Sequence, residues 1–138
     1  MKSSALMLLS SLAFAVNTFA GDTPSPIGAK AYIIAPKNGE IVSSPVKVVF
    51  GLSGIGVAPA GVLKEKTGHH HLLIDTGVPD LSTPIPADDK HKHFGGGQTE
   101  TTIELTSGPH TLQLLLGDSS HVPHNPPVTS EQITIIVK

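Results

Sequence analysis

An all-β fold, an immunoglobulin-like antiparallel β-sandwich of about seven strands, is predicted by three features of this chain. Proline and glycine recur at intervals of about eight to twelve residues. Short runs rich in β-branched and aliphatic residues lie between them. Several of those runs alternate apolar and polar residues with period two, the pattern of a strand with one buried face. No segment combines helical apolar spacing with a cap and adequate length.

The first twenty residues read as a secretory signal peptide rather than as part of the fold. Lys2 supplies a positive start, an apolar run extends from Ala5 to Val16, and Thr18-Phe19-Ala20 offers small residues where a signal peptidase cuts. Cleavage near Ala20 predicts a periplasmic or secreted protein with a single domain over 21–138. The run is too short and serine-rich for a stable membrane span, and the absence of cysteine excludes a lipid anchor on that side chain.

Six main strands are predicted in order, over 31–35, 46–52, 69–75, 100–105, 110–116 and 131–137, with 41–42 as a short extra one. Val46, Val48, Phe50 and Leu52 share a face against Lys47. His110, Leu112, Leu114 and Leu116 share another against Thr111 and Gln113, and Ile133, Ile135 and Val137 a third against Thr134. Lys37-Asn38-Gly39 and Ser107-Gly108-Pro109 are turn sequences. Two long proline-rich connections, 76–90 and 117–130, stand out, since long loops in compact domains often carry function. Gly95–Gly97 lacks the lysine of a phosphate loop and reads as a permissive turn.

Composition excludes several classes of function. The chain has no Cys, Trp or Arg, and its two methionines, Met1 and Met7, precede the cleavage site. A mildly acidic chain without arginine is poorly suited to nucleic acid or anionic membranes. What it has in excess is histidine, eight in all, at 69, 70, 71, 91, 93, 110, 121 and 124. Imidazole is the commonest protein metal ligand, and His-x-His on a strand puts both rings on one face. His69 with His71, and His93 with His121, are the predicted metal ligands. His70 shares a face with Leu72 and Ile74, and His110 opens an apolar strand, so both are expected near the core. Asp75 and Asp118 are carboxylates placed to orient a ring. His91 and His124 are expected at the periphery.

The missing residues constrain the metal. Without thiolate or thioether the ligands that select copper(I) are absent, and a blue-copper site is excluded. Imidazole with carboxylate suits copper(II), zinc or nickel, and the general affinity order places copper(II) ahead of zinc. A divalent transition metal held for buffering, delivery or tolerance is the expected function. A metal-free envelope module binding a protein, glycan or small anion through the same surface is the alternative. A metal-dependent hydrolase is a third, although no His-Glu-x-x-His, serine elbow or cysteine nucleophile is present.

Four ordered motifs carry a family resemblance: Gly68-His69-His70-His71-Leu72-Leu73-Ile74-Asp75, then His93-Phe94-Gly95-Gly96-Gly97-Gln98-Thr99-Glu100, then Gly108-Pro109-His110-Thr111-Leu112-Gln113-Leu114, then Asp118 with His121. Together they resemble the bacterial exported family known as domain of unknown function 4399. The resemblance implies a shared site that includes His69, His70, His71, His93, His110 and His121. It adds Gln98, whose amide is placed to hydrogen-bond a histidine or a ligand. It implies a more variable position at His124. A looser, architectural similarity links the chain to small periplasmic copper carriers, without their methionine motifs.

Overall fold

The computed structural model describes residues 23–138, which form a β-sandwich of two sheets. The predicted signal peptide lies outside the described residues. The nine strands are β1 (Lys30–Ala35), β2 (Ile41–Val42), β3 (Val46–Ser53), β4 (Gly56–Val57), β5 (Thr67–Ile74), β6 (His91–His93), β7 (Glu100–Ile103), β8 (Gly108–Gly117) and β9 (Ile133–Val137). All six main predicted strands and the short 41–42 segment are present. The two added strands, β4 and β6, span only two and three residues and carry no apolar run, so alternation gives no sign of them.

One sheet has the order β1-β3-β7 and the other β2-β9-β8-β5-β4, with β6 also paired to β5. Most pairings are antiparallel; β2 with β9 and β4 with β5 are parallel. β4 lies along the first residues of β5 and β6 along its later ones, while β8 runs along the opposite edge. Strand β5 is therefore hydrogen-bonded on both sides.

The core lies between the sheets. Val46, Val48 and Phe50 of β3 meet Leu72 and Ile74 of β5, Leu112, Leu114 and Leu116 of β8, and Ile135 and Val137 of β9. Each buried aliphatic side chain contributes about 2 kcal/mol, and period-two alternation delivers them all to one face. His70 lies on this inner face, as its position between apolar neighbours predicts. It is fully buried, with its ring centroid 5.2 Å from that of Phe50.

The outer face of the larger sheet is covered at its centre as well. Leu73 and Leu115 pack there under Ile85 of the 76–90 loop. The backbone N–H of Ile85 donates to the carbonyl of His121 at 2.8 Å, joining the two long loops. This cover explains why β5 is buried along nearly its whole length and reads as an unbroken run rather than an alternating one. Among the described residues no helix is long and apolar enough to cross a membrane.

Candidate metal centre

Alternation along β5 sends His69 and His71 to the outer face, opposite His70. Register then adds the third ring, because His71 of β5 pairs with His93 of β6. The fourth, His121, comes from the loop after β8 in a left-handed conformation (φ 68°). Asp118 builds that turn. Its Oδ1 accepts the backbone N–H groups of Ser120 (2.8 Å) and Val122 (3.0 Å), its Oδ2 accepts the Thr23 hydroxyl (2.7 Å), and its carbonyl accepts the His121 N–H (3.0 Å). A carboxylate satisfying several loop donors fixes a conformation that a non-glycine residue rarely adopts.

One ring nitrogen from each of His69, His71, His93 and His121 lies within 4.8 Å of all the others. One pair, His69 Nε2 and His121 Nδ1, is 3.1 Å apart. His69 and His71 are buried, His121 is half-buried and His93 is exposed, so the group opens to water on the His93 side. Burial, reinforced by the charge that each protonated neighbour would carry, pushes His69 down to about 4 and His71 to about 3. The same causes lower His93. At neutral pH these imidazoles are uncharged, the form in which a nitrogen lone pair binds a metal.

Two glycines make room for the rings. A Cβ on Gly117, which faces His69 across the β5–β8 ladder, would stand 2.8 Å from Cε1 of His71. A Cβ on Gly95 would crowd the His93 ring, meeting its Nε2 at 2.7 Å. Neither glycine announces this role in the sequence, since the clearance depends on cross-strand register. Gly97, with φ 82°, does serve as the permissive turn expected of the triple glycine. Thr23, which buttresses Asp118, carries no local signal either.

A comparison with protein families matches residues 48–138 to the domain of unknown function (DUF4399). The chain belongs to the DUF4399 family. The match spans β3 to β9 and includes all four clustered histidines. No curated protein and no solved structure matches the chain.

The remaining candidate residues of this DUF4399 domain lie elsewhere or act differently. Asp75 does not orient His69 or His71. Its left-handed backbone (φ 51°) breaks the alternation that would have put it on their face. The carboxylate instead accepts from His110 Nδ1 (2.7 Å) and the Thr111 N–H (2.8 Å). Asp118 likewise accepts from backbone groups and Thr23, not from a ring. Gln98 turns its Oε1 to the Gly96 N–H within its own turn (2.9 Å). His91 bonds Asp88 (2.8 Å). His124, expected at the periphery, is buried; its Nε2 donates to the Thr67 carbonyl (3.1 Å) and its ring packs over Gly68.

His110 makes a separate polar pair. Its Nδ1 donates to Asp75 and its Nε2 to the Thr106 carbonyl (2.8 Å), so both nitrogens carry protons. The Asp75 hydrogen bond raises the His110 pKa above 6.5, outweighing burial. Burial pushes the Asp75 carboxyl upward, but the bonds from His110 and Thr111 prevail and hold it below its ordinary value. The stabilisation of a raised histidine is complete below the unfolded value and is lost as pH rises through the folded one. Asp75→Asn is expected to lower the His110 titration midpoint, as followed by NMR of the ring protons. An unchanged midpoint would show that this pair does not set it.

Proposed function

We propose that this domain binds a divalent transition metal, copper(II) or zinc, through His69, His71, His93 and His121, and that it does so outside the cytoplasm in metal buffering, delivery or tolerance. The observation that carries this reading is the convergence of four imidazole nitrogens within 4.8 Å. Metal–imidazole bonds of about 2.0–2.1 Å place ligand nitrogens roughly 3–4 Å apart, so an ion needs only small ring movements to engage all four. Asp118 supports the reading electrostatically: its carboxylate favours positive charge at His69. The predicted signal peptide supports export. The donor set of the cluster is nitrogen throughout, and the lack of cysteine excludes thiolate.

In a four-coordinate zinc site four protein ligands leave no coordination position for a substrate or a reactive water, which argues for holding the metal rather than for hydrolysis. A protein- or glycan-binding surface needs exposed side chains, whereas His69 and His71 are buried.

The test is calorimetric titration of the tag-free mature protein with copper(II) and with zinc, beside the His71→Ala/His93→Ala variant. One ion per chain, bound at submicromolar strength by the native protein and not by the variant, is the expected result. Undiminished binding by the variant would remove these ligands from consideration. Absence of stoichiometric binding by the native protein would end the metal reading.

A further inference from the structure

We infer that the four-histidine group is a tetrahedral site shaped for zinc rather than for the square coordination that copper(II) prefers. The inference rests on the metal-binding reading above and concerns the choice of ion.

The six separations among the four ring centroids define the shape. They are 4.8 Å for His69–His71, 5.0 Å for His69–His93, 5.0 Å for His69–His121, 5.1 Å for His71–His93, 6.2 Å for His71–His121 and 4.8 Å for His93–His121. Four rings at the corners of a square would show two diagonals, on opposite pairs, each about 1.4 times the sides, as a tetragonal copper(II) site requires. Here the one long separation is His71–His121, and the pair opposite it, His69–His93, is short. Flattening the group would drive His71 and His121 apart. Five separations of 4.8–5.1 Å and one of 6.2 Å describe a tetrahedron stretched along one edge.

The fold explains why flattening is resisted. His69, His71 and His93 stand on one sheet surface, on adjacent strands in fixed register. His121 approaches from the loop above it, held by the Asp118 turn and by the Ile85 hydrogen bond to its carbonyl. Three rings from a sheet and one from above make a pyramid with an apex. Bringing the apex into the plane of the base would require the His121 turn to move against the bonds that hold it. His71 in turn is backed by Gly117, where no additional atom fits. Zinc, with a filled d shell, has no ligand-field preference and takes the tetrahedral arrangement in closed sites. Copper(II) gains its usual affinity advantage from tetragonal coordination, which this frame withholds.

The experiment uses the tag-free mature protein loaded separately with cobalt(II), zinc and copper(II). Cobalt(II) reports geometry: four-coordinate tetrahedral cobalt absorbs intensely in the visible, whereas six-coordinate cobalt absorbs weakly. The expected result is an intense cobalt spectrum that one equivalent of zinc abolishes, with electron paramagnetic resonance of the copper(II) form showing the reduced hyperfine splitting of a distorted tetrahedron. His121→Ala should retain the native circular dichroism, lose the intense cobalt bands and bind zinc about 100-fold more weakly. A weak six-coordinate cobalt spectrum overturns the inference. So does an undistorted tetragonal copper(II) signal with four nitrogens, combined with zinc binding weaker than about 10 µM; that result leaves the metal-binding reading standing. Failure of all three ions to bind overturns both.

Discussion

Acidification from pH 7 toward pH 4 is expected to unfold the metal-free protein. Burial lowers His69 and His70 to about 4 and His71 to about 3, from an ordinary value of 6.5. Between 6.5 and about 4 the unfolded chain takes up protons that the folded chain refuses. Stability is therefore complete above 6.5 and falls as the pH drops through that window. Each such histidine contributes a slope of up to about 1.4 kcal/mol per pH unit. Three together amount to several kcal/mol, comparable with the whole stability of a small domain, about 5–15 kcal/mol. His110, raised by Asp75, works in the opposite sense, but as a single group at the sheet end it does not offset three buried rings.

Urea unfolding at pH 7.5, 6 and 5 measures the slope, and a flat profile would contradict the assignment. His70→Leu isolates the core contribution, because this ring faces Phe50 and not the other histidines. Both of its nitrogens are buried without a partner. Its replacement by an apolar side chain is expected to raise stability at neutral pH by about 1–2 kcal/mol and to flatten the slope, with metal binding intact. Zinc should move the acid transition to lower pH, since binding to the folded state alone adds about 2.7 kcal/mol at a hundred times Kd.

Gly117→Ala is expected to reduce metal affinity about 10- to 100-fold, although no ligand is touched. The added methyl would stand 2.8 Å from Cε1 of His71 and 3.3 Å from the His121 backbone. His71 is 1% exposed, so its ring has no open space into which to retreat. The substitution either turns His71 off the common point or displaces the His121 turn, and overpacking of this kind costs about 1–3 kcal/mol of stability as well. Gly95→Ala should hardly affect stability, because the exposed His93 can swing into solvent, but that swing withdraws a ligand and should lower affinity as well. Gly77→Ala, where nothing lies within 4 Å of the new atom, is the control. Calorimetric titration of the three variants checks the order; equal affinities for Gly117→Ala and Gly77→Ala would show that the glycine provides no needed clearance.

Much of this arrangement is legible in the amino-acid sequence. The sandwich follows from alternation in β3, β8 and β9, where one face is apolar and the other polar. The shared face of His69 and His71 follows from the period of two. His93 and His121 lie far apart along the chain, and the fold brings them to the same place through a strand of three residues and a turn, neither of which has a hydrophobic signature. The features that the sequence conceals have a common physical cause. Asp75 and His121 have left-handed backbones, which invalidate face assignments made by counting. The roles of Gly95 and Gly117 are steric and depend on what lies across the ladder. His124 is buried by loop packing, which no local pattern encodes.

Strand β5 carries buried residues on both faces, histidine and leucine alike, from Gly68 to Ile74. Its burial pattern is therefore nearly indifferent to a slip of one residue, an error that in most strands would be forbidden because it exposes the apolar set. Here the slip would place His70 among the outer rings and send His69 and His71 into the core, trading one histidine face for another. Register must be set by something other than the apolar pattern. The tight approach of Gly68 to Gly117, which faces its neighbour His69, does this, since a Cβ at Gly68 would meet the Gly117 carbonyl at 2.6 Å. Any other residue of β5 moved into that position brings a side chain where only hydrogen fits. The two glycines act as a key and its slot, and the pairing of β5 with β8 that they set is what turns His69 and His71 to the outer face.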